Sequence, residues 1–164
     1  MKFKPDTVQC SYASPLGPMI LAAHGARLAG VWFEGQRHQP ENSSWPQDAA
    51  NPVLQQTMTE LSQYFAGQRH VFDLPLDLER GTAFQQAVWR ALLAIPCGEH
   101  SSYAALAAAI GKPRAVRAVG GAVGRNPLSI VVPCHRVLGA LGALTGYAGG
   151  LERKVNLLQL ESRA

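Results

Sequence analysis

Apolar residues in the first eighty positions fall in short runs, Val8–Ser14, Met19–His24 and Leu28–Phe33, separated by turn residues; this predicts three strands. His24-Gly25-Ala26-Arg27 fits a hairpin connection between the second and third. Gly35–Ala50 is polar, rich in Pro, Asn and Ser, and reads as a loop. Asn51 is placed to cap a helix that starts at Pro52, and Leu54, Met58, Leu61 and Phe65 then recur at spacings of three and four. Phe72, Leu74, Leu76 and Leu78 alternate with Asp73, Pro75 and Asp77, predicting an edge strand. The pattern is that of a small α+β unit, and the change of character at Glu79-Arg80-Gly81 divides the chain into domains 1–79 and 80–164.

Beyond the junction the period becomes helical. Thr82 and Gln85 form a capping-box pair, and Phe84, Val88 and Leu92 line one face of the helix that follows, which ends at Pro96-Cys97-Gly98. Ser101 or Ser102 caps a second helix through Ile110, and Gly111-Lys112-Pro113 turns the chain into a third, Arg114–Gly124. Two short helices joined by a tight turn form a helix-turn-helix pattern. Ile130–Val132 is a short buried-strand candidate, Leu138–Gly150 suits a wing or loop, and Leu151–Glu161 closes the chain as a helix with Leu151, Val155 and Leu158 inward.

Charge narrows the class of partner. The 164-residue chain carries a net +4, and Lys112, Arg114, Arg117, Arg125 and Arg136 fall in a stretch without a carboxylate. Such a stretch fits a polyanion, nucleic acid first, or a solvated helix face. No apolar run approaches the ~20 residues that cross a bilayer. Met1–Thr7 carries two lysines but no signal-peptide core and cleavage site follows, so a cytoplasmic protein without membrane attachment is expected. Cys10, Cys97 and Cys134 fit no zinc or redox spacing, and Cys10 with His24, His38 and His70 is too irregular for a metal set; no metal or cofactor is expected.

Pro133-Cys134-His135-Arg136 is the sharpest chemical feature. An imidazole and a guanidinium beside a thiol favour the thiolate, the reactive form, whereas Cys10 and Cys97 read as inert packing. Neighbours in an extended segment face opposite ways, so a Cys134–His135 partnership needs a bridging water or a local turn. His135 needs an acceptor to orient it. Glu161 is a candidate, although on the residues alone it reads first as an exposed helix-end acid. Gly120-Gly121 sits inside a predicted helix at about 1 kcal/mol per glycine. Close packing within the protein or close approach to another backbone would justify it.

The order of fragments is more specific than any one of them: Phe84-Gln85-Gln86-Ala87-Val88-Trp89, Ser102-Tyr103, Arg117-Ala118-Val119-Gly120-Gly121, Asn126-Pro127, Pro133-Cys134-His135-Arg136-Val137, Gly146-Tyr147-Ala148-Gly149-Gly150 and Glu161. The series resembles the O6-alkylguanine-DNA alkyltransferases, also called methylated-DNA–protein-cysteine methyltransferases. It covers nearly all of residues 80–164; the N-terminal part resembles the family only loosely, through Ser14-Pro15-Leu16-Gly17-Pro18 and Phe65-Ala66-Gly67.

The resemblance implies a ribonuclease H-like α+β domain followed by a mainly helical, winged helix-turn-helix domain. It implies that a monomer, alone or cooperatively on DNA, enters the minor groove of duplex DNA and flips out O6-alkylguanine, with O4-alkylthymine as a second substrate. The alkyl group then passes irreversibly to Cys134 in a single turnover. His135 falls on the water-linked base, Glu161 on its orienting carboxylate, and Asn126 on the brace of the active-site turn. Tyr103 falls on the tyrosine that assists rotation of the nucleotide and donates to guanine N3, and Arg117 on the arginine that fills the gap. Ala118, Gly120, Gly121 and Arg125 fall on the DNA face. Val137, Tyr147, Ala148 and Ser129 fall on the pocket, where the carbonyls of Cys134 and Val137 would accept from the guanine amino group. Two positions depart from the pattern: Ala148 replaces a frequent serine, and Ser129 stands where some members carry proline, a smaller wall that would admit larger alkyl groups. Residues 1–80 lack the four-cysteine zinc module of the adaptive-response regulators, so sensing of phosphotriesters is not expected. A non-catalytic lesion binder would lack Cys134, a winged-helix regulator would not need it, and no oxyanion-hole motif supports a cysteine hydrolase.

Overall fold

Strands β1 (Val8–Ser14), β2 (Gly17–His24) and β3 (Arg27–Phe33) form an antiparallel sheet in that order. The computed structural model describes residues 3–162, so Met1 and Lys2 of the N-terminal stretch lie outside it. Ser14 pairs with Gly17 and His24 with Arg27, leaving two-residue turns. Gly25 supplies the positive φ that the second turn requires, at 54°. Helix α1 (Pro52–Phe65) starts where Asn51 Oδ1 accepts from the N–H groups of Val53 and Leu54. It buries Leu54, Leu61 and Tyr64 in the same core as Met19, Leu21 and Phe33 of the sheet. The polar loop before it is pinned by Gln9, whose Nε2 donates to the carbonyls of Asn42 and Trp45.

The expected edge strand Phe72–Leu78 is not one. It meets β3 at a single bridge, Leu28 to Leu76. Pro75 has no N–H to donate, and α1 takes the Asp73 backbone instead. The Asp73 N–H donates to Glu60 Oε2 at 2.8 Å, and its carbonyl accepts from Gln56 Nε2 at 2.7 Å.

Helix α2 (Ala83–Leu93) begins with the full capping box of Thr82 and Gln85. Ser102 caps α3 (Tyr103–Ala109), and α4 (Val116–Gly124) follows a turn, starting two residues later than expected because Ala115 N–H closes back on Lys112 O. Trp89 of α2 locks the bundle by donating from Nε1 to Ala122 O of α4 at 3.0 Å. Helix α5 (Leu151–Glu161) buries Lys154, Leu157 and Glu161, whereas Leu151 is exposed and Val155 and Leu158 are only half-buried. The inward row expected from the apolar residues is therefore the wrong one. A two-residue parallel pair, β4 (Ser101–Ser102) with β5 (Val137–Leu138), was not anticipated.

Ile130–Val132 is a buried turn rather than a strand, with Ile130 at φ 73° and hydrogen bonds closing from Val131 N–H to Ser129 O and from Val132 N–H to Leu128 O. The outer edge of β3 meets the start of this turn. Val31 N–H donates to Pro127 O, and Ser129 N–H donates to Val31 O. Among the described residues no helix is long and apolar enough to cross a membrane.

Candidate active site

The chain from Asn126 to Val137 is buried and folds around one side chain. Asn126 Oδ1 accepts from Leu128 N–H at 3.0 Å. Its Nδ2 donates to Val132 O at 2.8 Å, to Leu128 O at 3.3 Å and to Cys134 Sγ at 3.1 Å. One amide thus replaces the ladder that a strand would have provided, and it holds the thiol of Cys134. The left-handed φ of the β-branched Ile130 costs about 1–3 kcal/mol, a strain these bonds hold in place. Cys134–Arg136 is a single 3-10 turn, closed by Arg136 N–H to Pro133 O and Val137 N–H to Cys134 O. This is the local turn that the Cys134–His135 adjacency needed.

Beside the 3-10 turn, three side chains meet at the Glu161 carboxylate. His135 Nε2 lies 2.7 Å from Glu161 Oε1, Arg136 donates from Nε to Oε2 at 2.8 Å and from Nη2 to Oε1 at 2.9 Å, and Tyr64 Oη donates to Oε1 at 2.7 Å. Glu161 is 3% exposed, so it is not a helix-end surface acid. Burial pushes its carboxyl up, but the hydrogen bonds from His135, Arg136 and Tyr64 outweigh this and hold it well below the usual carboxylate range. Burial pushes His135 down, against the pull of Glu161, so the imidazole is neutral. An ionised carboxylate can only accept, so His135 must carry its proton on Nε2 and a lone pair on Nδ1. That Nδ1 is buried with no protein partner.

The thiol departs from the sequence expectation. Burial pushes Cys134 up, and the Asn126 hydrogen bond and the charge of Lys154 offset this only in part. Arg136 makes no hydrogen bond to the thiol; its guanidinium is engaged by Glu161 and the carbonyl of Ile95. Lys154 was missed by sequence reasoning. Its Nζ donates to Val137 O and Thr145 O, so a buried cation ties the residue after the 3-10 turn to the following loop. The Val137 carbonyl therefore already has one donor. Tyr64 was missed as well.

The helix-turn-helix is more open. Arg117, Ala118 and Arg125 are exposed on α4 or at its end, and Gly120 and Gly121 are half-buried. A Cβ at Gly120 would lie 3.8 Å from the Tyr103 ring, and one at Gly121 would lie 3.6 Å from Arg125, both ordinary contacts. Packing within the protein therefore does not require these glycines. Gly149 differs, since a Cβ there would come within 2.7 Å of Tyr147 and 3.0 Å of Phe33. Half-buried Tyr103 has its hydroxyl beside Gly146, and burial pushes that hydroxyl up. Ser129 is buried and donates to Gln36 Oε1 at 3.1 Å, Tyr147 has a buried hydroxyl, and Ala148 O accepts from Arg37 N–H. Cys10 is buried, and Cys97 Sγ lies 3.8 Å from His70 Nδ1. Among the described residues no three metal-ligating side chains gather.

Two family models divide this architecture between them. Residues 8–78 match the 6-O-methylguanine DNA methyltransferase, ribonuclease-like domain, and residues 83–163 match the DNA binding domain of the same name. The chain belongs to the 6-O-methylguanine DNA methyltransferase family. A methylated-DNA–protein-cysteine methyltransferase of Mycobacterium tuberculosis is 51% identical over 152 residues, 92% of this chain and 90% of that protein. The constitutive enzyme of Bacillus subtilis is 46% identical over 155 residues, 90% of this chain and 91% of its own length. A crystal structure of the M. tuberculosis O6-methylguanine methyltransferase superposes with a TM-score of 0.87 at 48% identity, covering 96% of this chain and 93% of the other. A second, of the M. tuberculosis protein in complex with DNA, gives 0.86 at 49% identity over 93% and 91% of the two chains. The α+β half followed by a helical DNA-binding half is thus the family's architecture, as expected from the sequence.

Proposed function

We propose that this methyltransferase reverses guanine alkylation in duplex DNA by taking the alkyl group from O6 onto Cys134 Sγ, once per molecule. What supports this is a cysteine thiol held by Asn126 at 3.1 Å, adjoining in sequence a buried His135–Glu161 pair, with Tyr103 near the thiol and packed beside Gly120 of the exposed, cationic helix α4. Residues 80–164 carry the chemistry and residues 1–79 support it.

The thiol starts protonated, so activation occurs at the moment of reaction. A water between Sγ and His135 Nδ1 passes the thiol proton to the imidazole, and Glu161 stabilises the imidazolium that forms. Sulfur attacks the alkyl carbon in line as the C–O bond breaks and its electron pair moves onto the guanine. The Tyr103 hydroxyl donates to guanine N3 as that charge develops. The proton taken up by His135 passes by way of water to the guanine anion, so the products are an S-alkylcysteine and neutral guanine, and the thioether bond ends the protein's working life. The lesion reaches Sγ only when flipped, which costs a few kcal/mol. A monomer inserts α4 into the minor groove, Arg117 fills the gap, and Arg125 and the bare surface at Ala118, Gly120 and Gly121 lie against the backbone. Val137, Tyr147, Ala148 and Ser129 form the pocket wall, and O4-alkylthymine fits the same chemistry. The reaction belongs to the cytoplasm.

Cys134→Ala separates binding from chemistry. Transfer from a duplex containing O6-methylguanine should vanish while duplex affinity, measured by fluorescence anisotropy, stays near wild type. Loss of affinity in a folded Cys134→Ala protein would make Cys134 structural and end the proposal.

A further inference from the structure

The Glu161 carboxylate takes hydrogen bonds from two sides of the molecule, and one of them comes from the N-terminal domain. Tyr64 lies near the end of α1, is 2% exposed, and reaches across 97 positions of sequence to place Oη 2.7 Å from Glu161 Oε1. His135 Nε2 and Arg136 Nη2 use that same oxygen. We infer that Tyr64 is a positioning residue for alkyl transfer: by sharing Glu161 Oε1 with His135, it limits how strongly the carboxylate pulls on the imidazole and sets the pH at which His135 can take the thiol proton. The inference rests on the His135–Glu161 relay proposed above.

The direction follows from competition at one atom. A donor on Oε1 draws negative charge toward itself and leaves less for the neighbouring donor. With the Tyr64 hydroxyl gone, the carboxylate holds an imidazolium more strongly, and His135 stays protonated, hence useless as a base, to higher pH. The other groups facing this cluster are Arg136 on the 3-10 turn, Lys154 on α5, Cys134, Cys97 after α2 and Tyr147, together with Arg69 and His70, which line the cavity shared by Tyr64, Cys97 and Glu161. None of them is changed by deleting one phenolic oxygen, and the phenyl ring continues to fill the α1 core.

The test is the rate of transfer from free O6-benzylguanine against pH, which needs no DNA binding or base flipping. Tyr64→Phe should move the acidic limb of the curve up by roughly half to one pH unit, a several-fold loss below the midpoint with little change on the alkaline plateau. Site-specific 3-fluorotyrosine at position 64, a stronger donor that leaves the packing intact, should move the limb the other way. A uniform loss at all pH values, or an unmoved midpoint in both variants, overturns the inference. Glu161→Gln run alongside separates the two claims. A curve altered by Glu161→Gln but not by either Tyr64 variant removes Tyr64 alone, and a curve altered by none removes the relay with it.

Discussion

The two sides of Cys134 are built on opposite principles. Behind it, His135, Arg136, Glu161, Tyr64 and Lys154 are buried, and their polar atoms are largely paired at 2.5–2.9 Å. In front of it, Arg117, Ala118 and Arg125 are exposed, and the nearby loop carries Leu141 fully in solvent at φ 56°. A buried network fixes geometry before the substrate arrives, which proton transfer and in-line attack require. An open surface with small residues and exposed cations leaves room for a duplex. Damage behind the thiol should therefore appear with any substrate, and damage in front only when the alkyl group is carried on DNA.

The largest effect should come from Glu161→Gln. It leaves the Arg136 guanidinium buried without a counter-ion, a loss of about 3 kcal/mol of stability, measurable by urea denaturation. Transfer should slow on duplex and free base alike. The pH dependence carries a sign. Glu161 titrates below its unfolded value near ~4.3, so its contribution is whole above that pH and is lost as pH falls toward the native value. The variant should therefore show a flatter loss of stability on acidification below pH ~4. Equal acid sensitivity in both proteins would contradict the pairing.

Arg117→Ala tests the other side. Repair of duplex lesions should fall far more than transfer from O6-benzylguanine, and an abasic site opposite the lesion should partly rescue it, because less pairing has to be broken. A simple phosphate contact would instead weaken all duplexes alike and reduce the salt slope by about one unit. Equal losses on duplex and free base would place Arg117 in the pocket or the fold.

A smaller and more discriminating effect lies at the paired glycines. Since a Cβ at either position meets only ordinary contacts in the free protein, Gly120→Ala and Gly121→Ala should each raise stability by about 0.5–1 kcal/mol through helix propensity. The same substitutions should weaken duplex binding. A variant that is destabilised, or that binds as before, breaks the proposed backbone approach.

The contrast also explains what was legible beforehand. The hairpin at His24–Arg27, the capping box at Thr82 and the helix cap at Asn51 follow from local chemistry and appear where expected, and of the two candidate caps Ser101 and Ser102 it is Ser102 that caps α3. Misreadings occur where a tertiary partner overrides a local rule. On α5 the rows 151-155-158 and 154-157-161 both have helical spacing, and hydropathy selects the first. Lys154 and Glu161 occupy the buried row because carbonyls, His135 and Arg136 await them, and a one-dimensional pattern does not record partners. Ile130–Val132 reads as a strand by composition, yet the Asn126 amide bends it into a turn. Tyr64 sits at a spacing that fits ordinary core packing, and nothing in its neighbours announces that its hydroxyl meets a carboxylate 97 residues away. The Cys134-His135 adjacency was visible as chemistry; the state of the thiol was not, because Arg136 turns away from it.

The most direct test of the account is intact-protein and peptide mass after incubation with excess duplex carrying one O6-methylguanine. Each molecule should gain one methyl group, located on the peptide containing Cys134, with no further loss of lesion once the protein is spent. Continued turnover beyond one lesion per protein, or a methyl group on Cys10 or Cys97, would contradict it.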